Sequence, residues 1–269
     1  MKEEKKIKLA VLGCGNMAAA LVTRFCNEFE NLDVFTFTPT NKRAVELAER
    51  VGGQACKTIV EIPECQFYLV GCKPQQFDEL AEMLRPHLNG SAVIVSMMAG
   101  KSTEVISKKL ESPKIIRVMP NTPSQIGKGV QLLYFSKSVD ANEQNFVEEL
   151  FSSSGELFIF QNEDQIDLVT PHCGSGPAFI FELARILIAD LEEKGISRIG
   201  AEKMIKYMLY GASSLLLNST DSPTELRNMV TSKGGVTAEA LGELERGNLE
   251  EVFKTAIKKA HKRAKDLSY

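Results

Sequence analysis

The sequence predicts a doubly wound α/β domain followed by an all-helical domain. In residues 1–163, short strand patterns alternate with helical stretches, which is typical of a mainly parallel sheet covered by helices. The runs LAVLG and AVIVSM are apolar nearly throughout rather than at alternate positions, which indicates strands buried on both faces. From Asp164 onward the strand patterns stop, so we expect residues 164–269 to be helical.

The elements of the first domain follow from these runs. Six strands are predicted in chain order, at IKLAVLG, DVFTF, FYLVGC, AVIVSM, KIIRVM and QLLYFS. A helix is expected over residues 17–30, directly after the first strand.

The helices of the second domain are marked by their ends. One helix has an apolar residue at every fourth position, at Phe179, Leu183, Leu187 and Leu191, and we expect Gly195 to terminate it. A second helix spans AEKMIKYMLYGASSLLLN, whose apolar stripe is interpreted as core or as an interface. A third begins at Ser222–Glu225, where SPTE has the pattern of a capping box, and two more helices follow the KGG turn.

Composition limits the class of protein. The chain has 269 residues, 43% of them hydrophobic, and a formal net charge of −3, so neither nucleic acid nor an anionic membrane is expected as a partner. No apolar run is long enough to cross a bilayer, and MKEEKK is not followed by a signal-peptide core. The 6 cysteines include no CxxC pair, which predicts reduced thiols, a cytoplasmic location and no metal site.

A glycine motif follows the first predicted strand. Gly13, Gly15 and Ala18 in VLGCGNMA give the pattern GxGxxA, placed between a strand and a helix. Such glycines allow a pyrophosphate to approach the backbone at a helix N-terminus, so the pattern predicts a Rossmann dinucleotide-binding domain. The alternative interpretation is a glycine-rich turn without a ligand.

The end of the second strand bears on which dinucleotide binds. An acidic residue there would favour NAD, but residues 35–44 contain none. The stretch instead has hydroxyl, amide and basic side chains, at Thr38, Thr40, Asn41, Lys42 and Arg43. These groups suit a 2′-phosphate, so we expect NADPH, with NADH as the alternative. Lys42 and Arg43 could also be no more than a solvated helix start.

Several short motifs together resemble one family. GCGNMA, CKP, MPNTP, CGSGPAF, SPTELR and VTSKGGVT occur in the order and approximate spacing of the pyrroline-5-carboxylate reductases. The resemblance covers nearly the whole chain. It implies a helical dimerisation and substrate domain that interleaves with a partner subunit in a homodimer or higher homo-oligomer. The implied reaction is the NAD(P)H-dependent reduction of 1-pyrroline-5-carboxylate to L-proline, the last step of proline biosynthesis.

The resemblance also implies a set of site residues. For the cofactor these are Gly13, Gly15, Asn16, Met17 and Ala18 at the pyrophosphate, Thr38 and Thr58 at the 2′-phosphate, Lys73 and Pro74 at the ribose, and Ala99, Gly100 and Asn121 at the nicotinamide. For the substrate they are Ser232, Gly234, Gly235 and Thr237, with Thr237 as the catalytic candidate that contacts the ring nitrogen. From the residues alone, CKPQQF and VMPNTPS could equally be structural turns after strands.

The double glycine at Gly234–Gly235 has a physical interpretation of its own. Two glycines leave backbone N–H groups uncovered, and the start of a helix beside them favours an anion such as a carboxylate. The alternatives are a plain loop for the glycines and a helix N-cap for Thr237.

Some positions depart from the family pattern, mostly on the substrate side. Lys233 stands where the family has proline, and the other departures are His172, Cys173, Phe179, Arg185, Tyr207 and Met208. These departures sustain a second hypothesis, a relative that binds dinucleotide in a regulatory or interaction role. A third, a β-hydroxyacid dehydrogenase, is disfavoured because no lysine after residue 164 is followed four positions later by asparagine.

The expected chemistry needs few catalytic side chains. A cyclic imine can be protonated before hydride arrives, so positioning the two reactants is the main task of the protein. No His–Asp pair is therefore required. His172 is interpreted as a structural histidine at a helix start, with a role as proton source as the alternative.

Overall fold

The computed structural model describes residues 6–266. Residues 1–5, part of the N-terminal stretch in which no signal peptide is predicted, and residues 267–269 lie outside the described part. The chain forms two compact units: one holds the described residues up to Ser175 and from Ala260 onward, and the other is Gly176–Lys259. The predicted division between residues 163 and 164 stays a prediction.

Eight strands and eleven helices make up the described chain. The strands are β1 Ile7–Leu12, β2 Leu32–Phe37, β3 Gln54–Ala55, β4 Phe67–Val70, β5 Val93–Ser96, β6 Ile115–Met119, β7 Gly129–Phe135 and β8 Gly155–Ile159. The helices are α1 Asn16–Glu28, α2 Lys42–Val51, α3 Phe77–Leu84, α4 Thr103–Leu110, α5 Ala141–Ser152, α6 Asp164–Cys173, α7 Gly176–Glu193, α8 Arg198–Asn218, α9 Pro223–Met229, α10 Val236–Arg246 and α11 Leu249–Asp266.

All strands belong to one sheet with the order β3-β2-β1-β4-β5-β6-β7-β8. The first six strands are parallel, and β7 pairs antiparallel with β6 while β8 is parallel to β7. The order 3-2-1-4-5-6 is that of the predicted dinucleotide-binding fold, and it places the change of winding direction between β1 and β4. The predicted fold class is therefore confirmed.

The reversal at β7 follows from a short connection. Only residues 120–128 separate β6 from β7, and they form the short 3₁₀ helix Thr122–Ile126. A parallel crossover needs a dozen or more residues, so the chain returns antiparallel instead. The strand patterns did not reveal this direction, and they also missed the short β3 and the edge strand β8.

The sheet is covered on both faces, which explains its continuous apolar strands. Alternate residues of β1 belong to different clusters: Leu9 and Val11 pack on the α1 and α5 side, and Ala10 and Leu12 pack on the α3 and α4 side. Leu9, Ala10, Val11 and Leu12 are each at most 1% exposed. Both faces of the strand are thus core.

The helical unit Gly176–Lys259 has almost no core of its own. Its buried apolar residues are Ala201 and Ile205, and the rings of Phe179 and Phe253 meet edge to face at 6.1 Å. Several large apolar side chains are exposed, among them Phe181, Ile199, Tyr207 and Leu217 at 62%, 84%, 68% and 85%. Exposed apolar surface on this scale is characteristic of a region that another chain covers.

Two predicted helix ends of this unit, at Gly195 and Ser222, are confirmed, whereas α8 begins at Arg198, three residues before the predicted stretch that starts at Ala201. Gly195 follows α7 with φ +87°, and Ser222 caps α9 with Pro223 and Glu225 in the expected capping box. None of the helices within residues 6–266 has the length and apolar character needed to cross a bilayer.

Candidate functional site

A crevice opens where the loops after β1 and β4 meet. The two strands are neighbours in the sheet although they are not consecutive in the chain. Their loops therefore start side by side at the carboxyl ends of the strands and then lead to helices on opposite faces of the sheet. A cavity of about 350 Å³ lies there, and its lining includes Gly13, Gly15, Thr38, Arg43 and Lys73. The structure thus brings together residues that the sequence assigned to one cofactor site.

Gly13 makes the turn out of β1. Its φ is +98°, a region that side chains with a β-carbon disfavour, and its N–H donates to the Phe37 carbonyl at 3.0 Å. The bond holds the loop against the end of β2, the strand that leads into Thr38. Glycine at this position is therefore required by the backbone.

Gly15 is the N-cap of α1 and has no side chain with which to cap it. Asn16, Met17 and Ala18 form the first turn, whose N–H groups have no acceptor within the helix. A β-carbon on Gly15 would meet nothing within 4 Å, so the space in front of the helix is open. Uncovered amides at the positive end of a 13-residue helix suit a pyrophosphate.

Thr38 supplies an unused polar group to the cavity. Thr38 is 8% exposed, and its Oγ1 has no hydrogen-bond partner within residues 6–266. Asn41, in the left-handed region with φ +58°, likewise has a buried Oδ1 without a partner in the described chain. A buried hydroxyl without a partner is costly unless a ligand or water completes it. A phosphate in the cavity would supply the missing partner once the hydroxyl turns toward it.

The other residues predicted to bind the cofactor do not all line this cavity. Lys73 lines the cavity, and Pro74 begins the adjacent 3₁₀ helix Pro74–Gln76. Thr58 is an exposed N-cap of the 3₁₀ helix Ile59–Glu61, and it is not part of the cavity wall. The structure does not bring Thr58 together with Thr38 at the cavity.

The residues expected at the nicotinamide end lie after β5 and β6. Ala99 and Gly100 follow β5, and Gly100, with φ +73°, lines a second cavity of about 710 Å³. Asn121 is 6% exposed, and its Nδ2 donates to the Cys173 carbonyl at 3.0 Å while its Oδ1 accepts from the Val130 N–H at 2.9 Å. The Asn121 side chain thus joins β7 to the end of α6.

The predicted substrate loop forms a bend before α10. Gly234 has φ +69°, the Gly235 N–H donates to the Ser232 carbonyl at 3.0 Å, and Gly235 is the N-cap of α10. Ser232 and Gly234 are exposed, and Gly235 and Thr237 are half-buried. The amides at the start of this 11-residue helix are therefore open to an anion rather than sealed in a core.

Two sequence interpretations are wrong in detail. Thr237 is not the N-cap, because α10 begins at Val236 and Thr237 is its second residue. This leaves the Thr237 hydroxyl without a capping role. His172 does not start a helix, since it lies in the last turn of α6, one residue before the helix ends at Cys173.

Thiols beside the cofactor cavity are poor nucleophiles. Burial raises the pKa of Cys14 to about 12, although a hydrogen bond with the Phe37 backbone acts in the opposite direction. Burial likewise raises the pKa of Cys72 to about 11. All 6 cysteines are free thiols, and no cluster of three or more metal-ligating side chains occurs within residues 6–266. These two thiols contribute packing rather than chemistry.

The structure adds a charged cluster that the sequence interpretation missed. Arg117 is 1% exposed within β6 and pairs with Glu163 and Asp167. The signal was present in KIIRVM, where one arginine interrupts an apolar strand, but its partners are remote in sequence.

Comparisons with known proteins decide the family. Residues 163–267 match the family model for pyrroline-5-carboxylate reductase dimerisation, and residues 8–100 match the model for NADP oxidoreductase, coenzyme F420-dependent. The pyrroline-5-carboxylate reductase of Staphylococcus saprophyticus is 32% identical over 267 residues, covering 97% of this chain and 98% of that protein. The chain belongs to the pyrroline-5-carboxylate reductase family. The resemblance inferred from its motifs is thereby confirmed.

Solved structures of pyrroline-5-carboxylate reductases share the fold. The enzyme of Coxiella burnetii is 30% identical, with a TM-score of 0.84 over 97% of this chain and 98% of that one. That of Plasmodium falciparum, solved with NADP bound, is 24% identical, with a TM-score of 0.87 over 98% of this chain and 100% of that one. At the lower identity, the likeness shows the common fold of the two chains.

Proposed function

We propose that this protein reduces 1-pyrroline-5-carboxylate to L-proline with NADPH as the hydride donor, the last step of proline biosynthesis. The observation that carries the proposal is the open bend at Gly234–Gly235, which precedes α10 in a chain of the reductase family. Its amides suit a small carboxylate, and the family supplies the reaction in which a cyclic imino acid is reduced.

The cofactor cavity fits NADPH on its own chemistry. The uncapped start of α1 is open to a pyrophosphate, and the Thr38 hydroxyl lacks a partner that a 2′-phosphate would supply. Arg43 lines the same cavity and adds positive charge. Lys73 and Pro74 would lie at the ribose. NADH is the alternative cofactor, since only the contacts to the 2′-phosphate separate the two.

The nicotinamide is assigned to the loops after β5 and β6, at Ala99, Gly100 and Asn121. When bound, NADPH supplies the hydride that reduces the imine carbon of the substrate. Because the Asn121 amide is engaged by Cys173 and Val130, its side chain acts by holding the loop in place. Thr58, which the structure places outside the cavity wall, is the weakest of the assigned cofactor residues.

The substrate loop has separate roles for its residues. The Gly234 amide and the first-turn amides of α10, which Gly235 leaves uncapped, hold the carboxylate at the positive end of the helix. The N–H of Gly235 itself is given to the Ser232 carbonyl, and the Ser232 hydroxyl donates a further hydrogen bond to the carboxylate. Thr237, free of a capping role, contacts the ring nitrogen. Since the imine is protonated before reduction, Thr237 orients an existing N–H and does not need to supply the proton. No histidine is assigned a catalytic role.

The active protein is a homodimer or a larger homo-oligomer formed through the helical unit. Support comes from the match of residues 163–267 to the dimerisation family and from the uncovered apolar side chains of α7 and α8. Such surface is stable in water when a second copy covers it. We place the protein in the cytoplasm, because its free cysteines fit a reducing compartment.

The test is NADPH oxidation in the presence of racemic 1-pyrroline-5-carboxylate. We expect turnover by the wild-type chain. In Thr237→Ala, kcat/KM should fall about tenfold or more, because one hydrogen bond to a charged group is lost. The NADPH affinity of this variant should be unchanged. Thr255→Ala, on the exposed face of α11, is the matched control and should behave as wild type. Cofactor binding without any turnover by the wild type would instead favour a regulatory dinucleotide-binding protein.

A further inference from the structure

We propose that Arg117, Glu163, Asp167 and Thr103 form a positioning network that fixes the loop after β5 relative to helix α6. We call these four residues the Arg117 network. The inference rests on the proposed function, because the loop it holds contains Ala99 and Gly100, assigned above to the nicotinamide. None of the four is proposed to touch substrate or cofactor.

Arg117 is a buried charge in an otherwise apolar strand. Its neighbours Ile115, Ile116 and Val118 are fully buried, and Arg117 itself is 1% exposed. Its Nη1 donates to Glu163 Oε1 and to Asp167 Oδ2, each at 3.2 Å, and its Nη2 donates to Asp167 Oδ1 at 2.5 Å. Burying a guanidinium is unfavourable unless it is paired, and replacing a whole buried ion cluster by apolar residues of similar volume is often neutral or stabilising. The cluster therefore calls for a role other than stability.

Glu163 carries the connection to the loop. Its Oε1 accepts from the Thr103 N–H and its Oε2 accepts from the Thr103 hydroxyl, both at 2.7 Å. Thr103 is the first residue of α4 and lies three positions after Gly100. Both oxygens of one carboxylate thus hold the end of the loop, and Arg117 holds that carboxylate from within the sheet.

Helix α6 is fixed by the same strand at two places. Asp167 joins its first half to Arg117, and Asn121, just beyond β6, binds the carbonyl of its last residue, Cys173. The cavity of about 710 Å³ is lined by Gly100, Ser102, Arg117, Glu163 and Asp167. The network and the loop that carries the assigned nicotinamide residues therefore share one wall, and loosening Glu163 changes the geometry of that wall.

Glu163→Ala tests the network, and Glu143→Ala is its control. Glu143 is also a half-buried carboxylate, 16% exposed against 17% for Glu163, and it pairs with Lys114 away from the loop. Three quantities are measured for each: kcat, NADPH affinity, and the primary isotope effect with NADPH deuterated at the transferred position. For Glu163→Ala we expect kcat to fall about tenfold or more with NADPH affinity within about twofold, since positioning is lost while the pyrophosphate site remains. The isotope effect on kcat should rise.

Glu143→Ala should lower the melting temperature without changing the isotope effect. Thr103→Val, which removes only the hydroxyl bond, should change kcat in the same direction as Glu163→Ala but less, and Thr103→Ser should restore it. Thr103→Val also keeps the test valid should Glu163→Ala fail to fold. A wild-type isotope effect and kcat in Glu163→Ala, or equal changes in both glutamate variants, would overturn the proposal.

A readout independent of turnover separates this proposal from the proposed function. Hydrogen exchange of residues 99–103 should accelerate about tenfold or more in Glu163→Ala, since the Thr103 N–H loses its acceptor, and should stay unchanged in Glu143→Ala. A wild-type chain without reductase activity would refute the proposed function alone. Unchanged exchange of this segment in Glu163→Ala would refute the network, whether or not the wild type is active.

Discussion

Gly13 lies so close to Cys72 that a β-carbon on Gly13 would be 2.5 Å from the Cys72 backbone nitrogen. That distance is far below van der Waals contact, and the obstructing atoms are backbone atoms of the loop after β4. The two loops of the crevice therefore meet at this pair. Glycine at position 13 is needed for the fold before any ligand is considered.

Gly13→Ala should consequently destabilise the protein. The strained φ of +98° and the backbone clash together should lower the free energy of unfolding by about 3 kcal/mol, measured by denaturant unfolding. Gly15→Ala is the contrasting variant, because Gly15 has an ordinary φ of −69° and open space around it. It should change stability by less than about 1 kcal/mol and weaken NADPH binding about tenfold or more, as the methyl group obstructs the helix N-terminus. Equal stability losses in both variants would contradict this division of roles.

Thr38→Val should separate NADPH from NADH. The substitution keeps the shape of the residue and removes a hydroxyl that has no partner in the described chain, so stability should hold or rise slightly. NADPH affinity should fall about tenfold, the equivalent of one hydrogen bond to a charged phosphate, while NADH affinity stays within about twofold. Calorimetric titration with both cofactors measures the difference.

The matched control is Thr36→Val, two residues earlier in β2. The Thr36 hydroxyl is buried and donates to the Ala44 carbonyl at 2.8 Å, so its loss should cost stability without altering the preference between cofactors. A parallel loss of both cofactor affinities in Thr38→Val would show that Thr38 does not contact the 2′-phosphate.

Leu217→Glu should weaken the homodimer. Leu217 is 85% exposed in the helical unit, and a charge buried under a second copy would be strongly unfavourable. Sedimentation velocity should show dissociation to monomer at concentrations where the wild type is dimeric. Val60→Glu changes an apolar residue that is 73% exposed in the other unit and should leave assembly unchanged. Should Leu217→Glu sediment as the wild type does, Leu217 would lie outside the interface.

Cys14 and Cys72 should resist alkylation in the folded protein. With the pKa of Cys72 raised to about 11, the thiolate fraction at pH 8 is about 0.1%, compared with roughly a quarter for an unperturbed cysteine. Iodoacetamide followed by peptide mass spectrometry should leave both residues unmodified over a time in which the unfolded chain is fully alkylated. The alkylation rate of Cys72 should rise about tenfold per pH unit from pH 8 to 10, because its pKa of about 11 lies above that range. Rapid labelling at pH 8 would contradict the role of burial.

Much of the candidate site was predictable because its signals are local. The GxGxxA turn, the absence of an acid after β2 and the capping box at Ser222–Glu225 are each contained within a few residues. Each of these features depends on backbone conformation and on groups adjacent in the chain, and short sequence patterns predict such local features well. Thr237 shows the limit of such reasoning, since the helix starts two positions earlier than the alternative interpretation of Thr237 as an N-cap required.

The sequence by itself determined six of the eight strands, the all-helical character of the second half, which strands are buried on both faces, and where the glycine turns fall. Only the tertiary structure decided that β7 runs antiparallel, that Asn121 holds the end of α6, and that Arg117 meets Glu163 and Asp167. The physical reason is range, because periodicity and turn preferences act within a few residues. The bonds of Asn121 and Arg117 to α6 and to Glu163 join groups 46 to 52 positions apart, and the direction of β7 depends on which strand it pairs with. Which remote groups meet is set by the order and direction of the strands, and a buried charge such as Arg117 acquires its partners only through that topology.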